Sequence, residues 1–196
     1  MNKNLVVVLS TVGFLLLIGI LFISSYNGLI KLDEQVKQSW SQVENVYQRR
    51  LDLIPNLVET VKGYAAHEKE TFISVTEARS KAAGSISPDT INNPQKFQAF
   101  QESQSALSSA LSRLLVVVEK YPDLKANENF LSLQTQLEGT ENRIAVERGR
   151  FNEAAQMFNT KIRLFPTSIL ASTFGFSPKE YFKADAEAKT TPKVKF

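Results

Sequence analysis

Residues 49–61 read RRLDLIPNLVETV, and the fold turns on how Pro55 in the middle of that stretch is treated. Proline has no N–H and its ring crowds the preceding turn, so it suits the first turn of a new helix better than the interior of an old one. Arg49 and Arg50 stand where the C-terminus of a helix attracts cations, and Asp52 stands where the next helix would take an N-cap. The stretch therefore predicts a helix ending near Leu51, a second beginning near Leu53, and a reversal between them. One long helix kinked at Pro55 is the alternative.

Helical periodicity extends outward on both sides. Upstream, Leu29, Leu32, Val36, Trp40, Val43, Tyr47, Leu51 and Ile54 follow one another at steps of three or four, which marks a single helical face. Downstream, Leu57, Val58, Val61, Ala65, Phe72, Val75 and Ala78 resume the stripe until the breaker-rich GSISPD of residues 84–89. A third stripe, Phe97 to Val118, starts at Asn93-Pro94 and stops at Tyr121-Pro122, and a fourth runs from Phe130 to Phe165 and halts at Pro166. Each has one apolar face and a polar back, so the faces must be hidden against one another. Short connections favour antiparallel neighbours. The chain thus predicts an all-α fold, an antiparallel up-and-down four-helix bundle with coiled-coil-like packing. Beyond Pro166, Ile169, Leu170, Phe174, Phe176, Tyr181 and Phe182 form an aromatic cap folded onto the bundle.

Ahead of the bundle, Leu5 to Ile23 is an uncharged run, LVVVLSTVGFLLLIGILFI, of about nineteen residues. As a helix it nearly matches the hydrocarbon thickness of a bilayer. It is longer than the apolar core of a cleaved signal peptide, and no small-x-small cleavage site follows it. The expected organisation is a tail and transmembrane helix over residues 1–25, a bundle with its cap over 26–182, and a disordered tail over 183–196. Lys3 on one side and Lys31 and Lys37 on the other nearly balance the positive-inside count. Long domains are translocated largely regardless of charge, which leaves a bundle facing outward from a bacterial inner membrane as the expectation and a cytoplasmic bundle as the alternative.

Several function classes fall away on composition. The net charge is +3, with Lys and Arg interleaved among Asp and Glu, which is not a nucleic-acid footprint. There is no cysteine and a single histidine, His67, so thiolate nucleophiles, Cys-ligated zinc and Ser–His–Asp catalysis lack their parts. Glu-x-x-His metal spacing is missing as well. No catalytic residue, metal site or cofactor is expected.

The motifs RRLDLIPNLVETVKGYAAHE (49–68), EAR (77–79), YPDLKA (121–126), LEGTENRIA (137–145) and FPTSILASTFGFSPKEYF (165–182) resemble the LemA family of bacterial membrane-anchored proteins. That resemblance implies one N-terminal membrane helix carrying an antiparallel bundle, without an established enzymatic activity. In the fourth helix an Arg-rich run followed by Tyr-Asn is the pattern of the family, and this chain has Glu147, Gly149 and Phe151 there.

Polar residues on the apolar stripes are the remaining signal. Glu68 and Arg79 in the second helix and Glu141 and Arg148 in the fourth would face the core, where charge is costly unless paired. Arg79 is expected to pair with Glu141. Such a seam either fixes register or lines a ligand site. Arg49, Arg50, Asn56 and Lys125 would form a polar rim at the first reversal, open to an acidic partner. Trp40 and Tyr47 belong in the core. The resulting expectation is a membrane-tethered, non-enzymatic scaffold or sensor that binds another protein. An enzyme subunit or small-ligand binder using the Glu/Arg seam, and a self-associating envelope protein, are the rivals.

Overall fold

In a computed structural model of the chain, residues 3–183 are described. The expected tail therefore lies, apart from Lys183, outside the described residues. The elements are α1 (Lys3–Lys62), α2 (Lys69–Gly84), a 3-10 turn at Pro88–Asn92, α3 (Pro94–Val118), α4 (Pro122–Lys125), α5 (Glu128–Arg163) and α6 (Thr167–Thr173). Among the described residues there is no strand.

The reversal expected at Pro55 is not there. α1 runs 60 residues without interruption and carries Pro55 inside it, a rod about 90 Å long at 1.5 Å per residue. A proline at this position leaves the Leu51 carbonyl without its amide donor four residues on. Arg79 of α2 answers it: its Nε donates to the Leu51 carbonyl oxygen at 2.8 Å. Pro55 itself is exposed, while Leu51 and Ile54 are buried, so the ring does not disturb the packed face. The chain turns instead at residues 63–68. Gly63 N–H bonds the Glu59 carbonyl and Ala65 N–H the Val61 carbonyl, which closes the end of α1. Leu57, Val58 and Val61, expected to open the second helix, prolong the buried stripe of α1, and α2 is left with 16 residues.

The other boundaries follow local chemistry. Asn93 caps α3, its side chain accepting from Lys96 N–H at 3.0 Å with Pro94 in the first turn. Asn127 caps α5 in the same way through Phe130 N–H. Cross-helix bonds give the directions. Arg50 to Glu141, with Tyr64 just past the end of α1 bonded to Asn127 at the start of α5, set α5 antiparallel to α1, and Gln104 to Ala82 with Arg113 to Ser74 set α3 antiparallel to α2. The four long helices run up, down, up, down.

The core comes in two parts. A distal cluster joins Leu51–Val61 of α1 to Phe72 and Val75 of α2, Leu107–Val118 of α3 and Phe130 and Leu137 of α5. The proximal cluster, nearer the apolar run, joins Leu29–Tyr47 to Phe97, Phe100, Ile144, Phe151, Phe158 and Ile162. α2 covers only the distal part. The proximal part is closed by Ile91 of the 3-10 turn, by Leu170 and Ala171 of α6, and by Phe182, whose ring lies 5.0 Å from Phe97 and 5.5 Å from Phe151. Trp40 and Tyr47 are buried in it.

Replacing Arg79 with Met removes the donor to Leu51 and leaves a buried carbonyl unsatisfied, a loss of about 1–3 kcal/mol. In a Pro55→Ala background the restored amide takes over that bond. The loss on Arg79→Met should then shrink to under about 1 kcal/mol in chemical unfolding of the detergent-solubilised chain.

Candidate functional site

Between the two apolar clusters lies a polar layer. Arg50 follows Tyr47 of the proximal core and precedes Leu51 of the distal one; Gln104 stands between Phe100 and Leu107, and Glu141 between Leu137 and Ile144. Arg50 is 2% exposed. Its NH1 donates to Glu141 Oε1 at 2.9 Å and to Ser108 Oγ at 3.1 Å, and its NH2 donates to the side-chain oxygen of Gln104. The Tyr47 ring lies under the guanidinium at 5.1 Å. Among the described residues its Nε finds no partner. Gln104 passes the connection on through its Nε2 to the Ala82 carbonyl at 3.4 Å, and Ser103 shares a 2.7 Å bond with Ser85. One buried guanidinium thereby ties α1 to α3 and α5, and Gln104 and Ser103 tie α3 to the end of α2.

A cavity of about 130 Å³ opens beside this layer, lined by Arg50, Arg148, Glu141, Gln104, Ser105 and Phe182 among others. That is room for one small ion or a few waters. Two guanidiniums face one carboxylate, so the lining carries an excess positive charge. Glu141 is 43% exposed on its side chain and shares its field with solvent.

The C-terminal segment forms one wall of the cavity. Asn159 accepts from Lys179 N–H and donates to the Lys179 carbonyl, both at 2.8 Å; Asn152 does the same with Phe182, both at 2.9 Å. Seven residues of helix rise about 10.5 Å and three residues of extended chain span about 10 Å, so the two spacings match. Arg148 adds a bond from NH2 to the Lys183 carbonyl at 2.8 Å and lies over the Phe182 ring at 4.9 Å. Lys179 is 7% exposed, with its Nζ 3.0 Å from Asp33 Oδ1 and 2.6 Å from Asn92 Oδ1. Burial pushes the Asp33 carboxyl up, but the hydrogen bonds and charges of Lys37 and Lys179 outweigh it and hold it below its ordinary value. Burial raises Glu44, against the opposing bond from the Trp40 indole N–H.

The residues singled out in the sequence are distributed as follows. Glu141 and Arg148 meet at the cavity. Arg79 does not pair with Glu141; it serves the Leu51 carbonyl, and Arg50 takes Glu141. Glu68 is the N-cap residue of α2 and its side chain makes no cap bond. The expected rim is not one surface. Because α1 continues to Lys62, Arg49 lies on the flank, bonded to Gln136, and Arg50 is in the core. Asn56 is exposed farther along α1, and Lys125 pairs with Glu119 at the far end of the bundle. His67 is exposed in the turn. The sequence reading did not single out Asp33, Asn159 or Lys179. The repeated Phe-Asn pairs at 151–152 and 158–159 were the available signal.

The sequence model of the LemA family matches residues 39–196, most of the chain and all of the residues around the cavity. The chain belongs to the LemA family. It is 29% identical to magnetosome protein MamQ 2 of Paramagnetospirillum magneticum over 94% of this chain and 72% of that protein. To protein LemA of Metamycoplasma hominis it is 27% identical, over 87% of this chain and 76% of the relative. This LemA-family chain is a membrane-associated helical protein in which α1 is long and apolar enough to cross a membrane, with none of its most apolar window buried.

The lowered Asp33 value makes the C-terminal wall acid-sensitive. The stability it contributes is present above pH 3.8, the ordinary value, and is lost as pH falls through the lowered one. Trp40, the one tryptophan, stacks 6.3 Å from Phe182 and reports the change. In Asp33→Asn the fluorescence step below pH 3.8 should be missing. A separate step above pH 4.5, where the raised Glu44 titrates, should persist and should vanish in Glu44→Gln.

Proposed function

We propose that this LemA-family protein is a non-enzymatic helical module held in the bacterial inner membrane by a single span within residues 1–25. Its bundle, residues 26–182, faces outward and scaffolds or senses by binding another protein. The observation that carries the reading is the unbroken α1, which joins the apolar run to the polar layer with no joint between them. A contact made on the bundle is rigidly referred to the membrane.

A polar groove between α1 and α5 suits an acidic partner. Arg49 and Arg143 line it together with Gln42, Asn45 and Gln136, and no carboxylate does. Both arginines are exposed, so reversing them leaves the core intact. Arg49→Glu combined with Arg143→Glu should abolish co-purification of the partner from solubilised membranes while moving the melting temperature little. Unchanged co-purification would remove this groove from the proposal. Light scattering that finds a stable dimer of the solubilised chain would favour the structural, self-associating reading instead.

The cavity supports a second reading, a site for a small oxyanion. Arg50 brings a buried guanidinium whose Nε is unpartnered among the described residues, and Arg148 brings a second cation. Inorganic phosphate should raise the melting temperature of the chain above the value in chloride of equal ionic strength. Arg148→Gln should cancel that rise. Equal melting temperatures in the two salts would exclude the anion site.

A further inference from the structure

The end of the bundle nearest the apolar run is itself apolar on its outside. Phe165 is 82% exposed, and Leu164, Ile169 and Phe174 are exposed beside it. The fourth stripe had placed Phe165 in the core, but α5 ends at Arg163 and the chain swings out before α6. α6 buries Thr167, Leu170 and Ala171 against the bundle and leaves Ile169 outward.

The level of this patch along α1 follows from the packing. Arg50 meets Glu141, and Leu32 lines one pocket with Met157 and Thr160. With both helices advancing 1.5 Å per residue in opposite directions, Phe165 falls at about the level of residue 25 of α1. Phe174 is fixed independently, its ring 4.9 Å from that of Tyr26. The apolar run of α1 ends at Ile23. Patch and run are therefore continuous, the one beginning where the other leaves off. Lys31 and Arg163 are exposed and Lys161 half-buried at this level. Cations ringing exposed aromatics at the end of an apolar span match the headgroup region of an anionic bilayer.

We infer that the base of the bundle is a second membrane contact: Phe165, Ile169 and Phe174 enter the interface of an anionic bilayer, and Lys31, Lys161 and Arg163 meet its headgroups. The bundle then sits on the bilayer surface and does not stand off from it. Because α1 has no joint, this seating also fixes the tilt of the whole rod, and it places the polar layer of Arg50 about 40 Å above the end of the apolar run.

The natural chain has no cysteine, so single reporters can be placed without background. Phe165→Cys, Ile169→Cys, Lys120→Cys at the distal end and Leu17→Cys inside the run are labelled with an environment-sensitive fluorophore. The full chain is reconstituted into vesicles of phosphatidylcholine and phosphatidylglycerol. Shallow doxyl lipids should quench positions 165 and 169 severalfold more than position 120, with iodide quenching in the opposite order. Position 17, quenched by deep doxyl lipids, shows that the anchor is embedded; without that quenching the inference falls together with the anchor. Iodide quenching at 165 and 169 equal to that at 120, with position 17 embedded, would overturn the lipid contact alone. Protection from iodide without doxyl quenching would overturn it too, assigning the patch to a second copy of the chain. Both reporters are exposed side chains, so a fold defect at one leaves the other to decide.

Discussion

A helix that continues through a proline must find another donor for the carbonyl the proline abandons. Here the carbonyl belongs to Leu51 and the donor is the Nε of Arg79, 2.8 Å away on the next helix. The contact keeps α1 in one piece and fastens α2 to it at the same point. Because α1 is not broken there, the chain turns at residues 63–68, α2 is short, and the proximal part of the core is left for other segments to close. The length of the rod, the position of the reversal and the need for a C-terminal cover all trace back to it.

One turn below Ile54 the second constraint takes over. A guanidinium buried to 2% exposure requires its hydrogen bonds to be met within the protein. Arg50 obtains those of its two terminal nitrogens from Glu141, Ser108 and Gln104, one on α5 and two on α3. Sliding any of these helices by one turn would strand the charge, so the layer sets register where apolar packing alone would tolerate slippage. The same layer leaves a cavity with an excess of positive charge, which makes the part of the protein best suited to hold register also the part best suited to receive an anion.

Much of this was legible in the residues. The apolar stripes, the start at Asn93-Pro94, the stop at Pro166 and the apolar run of α1 are local patterns, and the helices follow them. Pro55 was misread because its compensation is 28 residues away in sequence, whereas its helix-breaking chemistry is written in the adjacent positions. Arg49 and Arg50 were read together as a helix end, but neighbours on a helix point about 100° apart, so one is exposed and the other buried. Glu141 and Arg148, polar residues on an apolar stripe, both line the cavity. The partner of Glu141 was wrong because it followed from the misplaced reversal. Phe165 continued the stripe arithmetically, and only the end of α5 shows that it has left the core.

From the apolar run to the cavity, α1 is a single rod with three helices packed along part of it, and a buried arginine divides the core they share. Its central claim is the continuity of that rod. Spin labels at Gln38→Cys and Lys62→Cys, both exposed positions on α1, test it directly by pulsed dipolar spectroscopy. An unbroken helix places the two backbones about 36 Å apart, whereas a reversal at Pro55 would fold them to roughly 15–18 Å. A distance distribution centred near the first value is the expected result, and one near the second would contradict the account.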